Sequence, residues 1–129
     1  KELGVDYEYR VASAHRTPAK VIEIAGEIEK QENAVIIAVV GLSNALSGML
    51  AGISSTPVVT LPATPEDVMS SLRMPPGIAH ATVLDAKNAA LLAAKILALN
   101  DAGLKTRVKE FLKAQSEKTE KADEELKKN

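Results

Sequence analysis

A parallel three-layer α/β sheet is the fold class that the sequence predicts, and three observations carry the prediction. Short β-branched runs, AVIIAVV at 34–40 and PVVTL at 57–61, alternate with longer stretches whose apolar residues recur at helical spacing. The length, 129 residues, is that of one domain, with 46% hydrophobic but only 2% aromatic residues, so the interior is aliphatic and small-residue. The polar and glycine-bearing loops after three successive expected strands fall on one edge, where parallel sheets bind ligands.

The elements follow in order. KELG at 1–4 reads as the last turn of a helix closed by Gly4 at C′, so the chain is expected to begin inside a structural unit. Val5, Tyr7, Tyr9 and Val11 alternate with Asp6, Glu8 and Arg10, the period of a half-buried strand over 5–13. Thr17 and Pro18 form an N-cap and N1 pair, and Val21, Ile24, Ala25 and Ile28 then line one face of a helix running to about Glu32. The run at 34–40 has the continuous apolar character of a central strand covered on both faces. After Gly41, Ser43 or Asn44 can cap a helix carrying Ala45, Leu46, Met49, Leu50 and Ile53, and 57–61 returns as a strand.

Thr64-Pro65-Glu66-Asp67 reads as a capping box with Asp at N3, and the two prolines of Arg73-Met74-Pro75-Pro76-Gly77 enforce a loop. A further strand is expected over 79–84, with Asp85 as N-cap of an Ala/Leu-rich helix at 88–99 that Asn100, Asp101 and Gly103 break. From Leu104 the composition turns charged: Leu104, Val108, Phe111 and Leu112 can pack, and the rest is a solvated or frayed helix. The expected organisation is an α/β domain over 1–103 and a charged C-terminal helix over 104–129, with right-handed crossovers placing helices on both faces of the sheet.

Composition excludes several functions. Sixteen basic and 17 acidic residues leave a formal charge of −1, no field for nucleic acid or an anionic membrane, and three aromatics offer little base-stacking surface. No apolar run approaches the roughly 20 residues that span a bilayer, and the mixed-charge residues 1–10 do not read as a signal peptide. Without cysteine there is no disulfide, thiolate metal site or cysteine nucleophile, and with two histidines no protein-only zinc site is expected. A reduced, cytoplasmic setting fits this usage best.

The rim loops at 13–18, 41–48 and 62–64 carry the chemistry, whereas those of the opposite edge, at 31–33 and 54–56, hold no comparable cluster. His15 is the one rim side chain whose unperturbed pKa allows both proton acceptance and donation near neutrality. Ser13 adds a hydroxyl and Arg16 a fork of donors suited to phosphate or carboxylate, with helix N–H groups after Pro18 beside them. On the residues alone, His15 is equally well a solvent-exposed histidine beside a helix cap. The loop from Gly41 through Ser43 and Asn44 to Gly48 lets a ligand approach the backbone, though a plain strand-to-helix connection explains it more simply. Residues 73–77 suit a flap over a ligand or an ordinary proline-rich turn. His80 reads as a packed or interfacial residue, and Glu66, Asp67 and Asp85 as helix-terminal carboxylates.

SAHRTP at 13–18, following YEYRVA, resembles the signature of the aminoimidazole ribonucleotide (AIR) carboxylases and the related N5-carboxyaminoimidazole ribonucleotide mutases of purine biosynthesis. VIIAVVGLSNALSGMLAG resembles that family's second active-site segment, SSLRMPPG its third and NAALLAAKILAL its closing helix, in order from about Leu3 to Leu99. The resemblance implies a flavodoxin-like subunit in a homo-oligomer, an octamer, that needs no metal or other cofactor. It implies carboxylation of AIR at C4 with CO₂, His15 as acid/base, Ser13 and Arg16 on the ribose 5-phosphate, Gly41, Ser43 and Asn44 around CO₂ and the imidazole, and Met74 and Pro75 over the nucleotide.

GLSNALSGM and SSLRMPPG resemble the carboxylase branch, towards which the reading leans, while Arg16-Thr17-Pro18 resembles the mutase hexapeptide and Leu42 stands where animal carboxylases have Arg. The family's N-terminal strand and its Gly-Ser-x-Ser-Asp loop have no counterpart in this sequence. An alternative of another class is therefore a non-catalytic nucleotide-binding or assembly module.

Overall fold

The computed structural model describes residues 2–127, so Lys1 of the expected helix end and residues 128 and 129 of the tail lie outside the described residues. Three parallel strands, β1 (Ile36–Val40), β2 (Val58–Pro62) and β3 (Ala81–Thr82), form a sheet in the order β1-β2-β3. Between and after them run α1 (Pro18–Ile28), α2 (Leu46–Ile53), a 3-10 turn (Pro65–Asp67), α3 (Met69–Leu72), α4 (Ala86–Leu97) and α5 (Ala102–Leu126). The register pairs Ile36 with Val58 and Val40 with Pro62, so both strands end at the same level.

Alternation sends Ala38, Val40 and Val58 to one face, where they form a core with Val21 and Ala25 of α1 and Leu50 of α2. Helix α4 lies against β1 and β2, with α5 behind it, and Ala94, Ala98, Leu104 and Val108 form a second cluster there. The layers are therefore α/β/α, and small residues let them approach closely.

Caps divide the later helices. Asp85 accepts the N–H of Asn88 (2.9 Å) and Asp101 that of Leu104 (2.8 Å). The break between α4 and α5 thus falls before Asp101, and Gly103, expected to help break the helix, sits inside the first turn of α5. Gly4 takes φ +63°, as expected for a residue that reverses the chain, and the Leu3 carbonyl accepts a bond from Arg107 Nε (2.9 Å).

Four further expectations are corrected. Residues 5–13 form no strand: an extended segment needs a ladder partner for its N–H and C=O groups, and this one pairs with none of the described strands. It is held instead at its ends, Leu3 and Val5 against the α4–α5 cluster and Ala12 against the α1–α2 core, and by Arg10 on Glu27, which raises the arginine's pKa. Tyr7 and Tyr9 meet edge to face at 5.3 Å and stay exposed, as does Val11.

Strand β1 is not covered on both faces: Ala38 and Val40 are buried, but Ile37 is 39% and Val39 63% exposed, because β1 is the sheet's edge. Helix α1 stops at Ile28, short of Glu32. The strand expected over 79–84 pairs only at Ala81 and Thr82. Val83 still donates to the Thr60 carbonyl (2.9 Å), but Pro62 has no N–H with which to continue the ladder. His80 is packed as expected, with Nδ1 2.9 Å from the hydroxyl of fully buried Thr60 and a buried Nε2 that has no hydrogen-bond partner among the described residues.

At the edge opposite the rim loops, Glu29 at the end of α1 accepts hydrogen bonds from the hydroxyls of Ser54 and Ser55 and from the Ser55 N–H (3.1 Å). The Ser54 and Ser55 hydroxyls, in that order, pull its pKa below the ordinary 4.5. A depressed carboxylate stabilises the fold above its unfolded pKa and loses that contribution as pH falls through the folded value. Glu29→Gln is therefore expected to lower the urea midpoint at pH 7, with the gap from wild type closing as pH drops below about 4. An equal gap at pH 7 and pH 3 would count against the clamp.

Candidate active site at the carboxyl edge of the sheet

The first rim loop is a closed turn built by two hydroxyls. Ser13 donates its N–H to Thr17 Oγ1 (2.9 Å), Thr17 returns its own N–H to the Ser13 carbonyl (2.8 Å), and Ser13 Oγ accepts the Arg16 N–H (3.2 Å). Thr17 occupies the N-cap position but its side chain caps no helix N–H, because the hydroxyl turns back onto Ser13. Pro18 at N1 needs no partner for an N–H it lacks. The turn holds His15 and Arg16 outward at the mouth of α1, both exposed.

The second loop leaves β1 at Gly41. A Cβ there would lie 3.7 Å from Asp67 Oδ2 and 3.9 Å from Ala63 Cβ, so the loop after β2 closes on its flank. Leu42 takes φ +57°, a left-handed conformation unusual for a residue with a side chain. Asn44 then turns inward, 8% exposed. Its Oδ1 accepts the Ser47 N–H (3.2 Å), doing for α2 what an N-cap does, while Nδ2 donates to Ser47 Oγ (2.5 Å) and to Ser71 Oγ (2.9 Å). Ser47 and Ser71 are buried, so this polar knot is internally satisfied.

Between the two loops lies a cavity of about 140 Å³ lined by residues 12–15, Val39, Val40, Gly41 and residues 43–46. Sites for whole drug-sized ligands run to roughly 300–1,000 Å³. This one has room for a small group only, so the rest of any larger ligand would lie over the rim. Of the residues singled out in the sequence, Ser13, His15, Gly41, Ser43 and Asn44 come together around it. Arg16, Met74 and Pro75 do not line it. Met74 lies against α2, its Sδ 3.0 Å from where a Cβ on Gly48 would stand, so that glycine makes room for it, and Pro75 is exposed.

Sequence reasoning missed Ser70 and Ser71, whose hydroxyls hold the Gly41 loop from α3, and the approach of Asp67 to Gly41. Only the surroundings of those residues in space reveal them. The capping box at Thr64 is replaced by a side-chain pair, Thr64 Oγ1 donating to Asp67 Oδ2 (3.1 Å). The Glu66 carboxyl is held below its usual pKa by its own backbone N–H and then by the Thr64 hydroxyl, in keeping with a helix-start carboxylate. Among the described residues no three His, Cys, Asp or Glu side chains cluster as metal ligands, and no helix is long and apolar enough to cross a membrane.

Comparison with known proteins gives concordant results. A family model described as AIR carboxylase matches residues 1–118. The phosphoribosylaminoimidazole carboxylase of Archaeoglobus fulgidus is 46% identical over 97% of this chain and 72% of its own length. The N5-carboxyaminoimidazole ribonucleotide mutase of Methanocaldococcus jannaschii is 42% identical over 98% and 83%. The crystal structure of Treponema denticola PurE superposes with a TM-score of 0.92 at 37% identity, covering 98% of this chain and 84% of that one. At that similarity the sheet and its helices are those of a flavodoxin-like fold.

The Asn44 knot generates a stability prediction. Asn44→Ala removes the acceptor of the Ser47 N–H and strands the buried hydroxyl of Ser71, so it is expected to cost about 1–3 kcal/mol in urea unfolding. A loss below about 0.5 kcal/mol would mean that the serines find other partners.

Proposed function

Because the chain belongs to the AIR carboxylase family of purine-biosynthesis enzymes, we propose that it forms the C4 carboxylate of 5-aminoimidazole ribonucleotide, taking free CO₂ as the one-carbon donor. The observation that supports this reading is the convergence of His15, Ser13 and the Gly41–Asn44 loop on one small cavity at the carboxyl end of β1.

The amino group makes the imidazole ring an enamine-like nucleophile. C4 attacks the carbon of CO₂, the electron pair of one C=O π bond moves onto its oxygen to complete the carboxylate, and the ring is left positively charged with its proton still on C4. His15 accepts that proton, restoring the aromatic ring, and releases it to solvent. Little else is required beyond orientation and a pocket that keeps CO₂ beside the ring, and the small-residue walls at Gly41, Ser43 and Ala45 suit that task. Arg16 stands outside the cavity but next to Ser13 on the same turn, where it reaches a phosphate held over the rim. Met74 and Pro75 lie on the segment beyond α3 and cover the nucleotide from that side. The enzyme acts as a homo-oligomer in the cytoplasm.

A second reading is supported by the names of the relatives, which fall on both branches. In it the substrate is the N-carboxylated nucleotide: the N–carboxylate bond breaks as His15 gives a proton to the amino nitrogen, the CO₂ released stays in the cavity and bonds to C4, and His15 takes back the C4 proton. Turnover assays with each nucleotide at varied CO₂ separate the two. Rate dependence on CO₂ with no use of the N-carboxylated substrate supports carboxylation, the reverse supports the mutase, and inactivity with both favours a binding module.

His15→Asn is expected to abolish turnover while leaving nucleotide affinity by calorimetry within about threefold, since only the proton carrier is lost. Near-wild-type turnover would remove His15 from the mechanism. Arg16→Ala is expected to weaken nucleotide binding by about tenfold or more, with no comparable effect on the base lacking its phosphate. An unchanged dissociation constant would place the phosphate elsewhere.

A further inference from the structure

We infer that Ser70, which does not line the cavity described above and touches no proposed substrate group, is the positioning residue that holds the cavity loop in its working shape. The inference rests on the reaction proposed above for its catalytic consequence, though not for its geometry.

Ser70 sits in α3 and, unlike His15, does not line the cavity. Its Oγ accepts the N–H of Asn44 (3.0 Å) and lies within bonding reach of the Leu42 carbonyl (3.2 Å) and the Asp67 carbonyl (3.0 Å). The hydroxyl has one proton to give, shared between those two carbonyls. The peptide groups on either side of Ser43 therefore converge on a single oxygen, and Ser43 is the cavity-lining residue between them.

The preceding residue supplies the reason that such a bracket is needed. Leu42 holds φ +57°, a conformation that an L-residue other than glycine adopts only against steric resistance. Its side chain is 83% exposed, so no burial of that side chain offsets the strain. What opposes relaxation is the carbonyl and the N–H held at Ser70. A second latch stands beside it: Asn44 Nδ2 on Ser71 Oγ, with the Ser71 carbonyl accepting from Thr82 Oγ1 (3.3 Å) on β3. Loop geometry at the cavity is thus set from α3 and rooted in the sheet.

Ser70→Ala should release the bracket, whereas Ser70→Thr keeps the hydroxyl. Leu42→Gly lets the loop take its left-handed turn without strain and should make Ser70 less necessary. Two measurements on the full chain decide the matter: amide hydrogen exchange at Asn44 and in β1 and β2, and steady-state kinetics with the productive nucleotide.

For Ser70→Ala the expected results are Asn44 exchange at least about tenfold faster with β1 and β2 unchanged, and kcat lower by about 10- to 100-fold with KM within about threefold. Ser70→Thr should restore both, and adding Leu42→Gly to Ser70→Ala should recover about half or more of the lost rate on a logarithmic scale. Unchanged Asn44 exchange, exchange rising equally in β1 and β2, or a loss that Ser70→Thr does not rescue would overturn the assignment. If wild type turns over neither nucleotide, the reaction fails on its own account, and Asn44 exchange alone then upholds or overturns the positioning role.

Discussion

The parallel pairing of β1 with β2, in a register that ends both strands together at Val40 and Pro62, is the constraint from which the site follows. Parallel neighbours cannot be joined by a hairpin, so the chain must climb one strand, cross through a helix and start again from the same edge. Every strand then discharges its following loop at one rim and receives its preceding loop at the other. The Ala63 N–H on the Val40 carbonyl (2.7 Å) ties the two exits together, which is why Gly41 meets Ala63 and Asp67 rather than solvent on that flank. The opposite rim is closed by Glu29 and its serine hydroxyls.

Small residues make the arrangement possible at this chain length. Ala25, Ala38, Ala89, Ala93 and Ala94 are buried, and side chains this short let helices lie close to the sheet. The cavity is small for the same reason: its walls are backbone and short side chains.

Most of the polar interior lies beneath the rim, with Thr60 in mid-β2 against His80. Asn44, Ser47, Thr60 and Ser71 are the buried polar residues among those described, and Asn44, Ser47 and Ser71 form the knot that shapes the Gly41 loop. Buried hydrogen bonds are directional where apolar contacts are not, and an unmade one is costly. Buried polar groups placed beside the Gly41 loop fix its geometry in a way that apolar packing alone would not.

The sequence by itself determined the fold class, the helices and the Asp85 N-cap, the small-residue core and the rim on which chemistry collects. Each is written in local periodicity or in a residue's own capping chemistry, and neither requires knowledge of distant partners. It also held the family, through motifs from SAHRTP to NAALLAAKILAL, and with them His15, Ser13, Gly41, Ser43 and Asn44, which meet at the cavity. Only the tertiary structure decided which extended segments become strands. Residues 5–13 have a strand's alternation but no ladder partner, and the ladder beyond Thr82 stops at a proline on the neighbouring strand. It alone decided that Arg16, Met74 and Pro75 stand off the cavity, and that serines more than 25 residues along the chain hold Asn44 and Leu42. Pairing and positioning are relations between residues far apart in sequence, and a one-dimensional pattern records each residue's tendency without recording its neighbour.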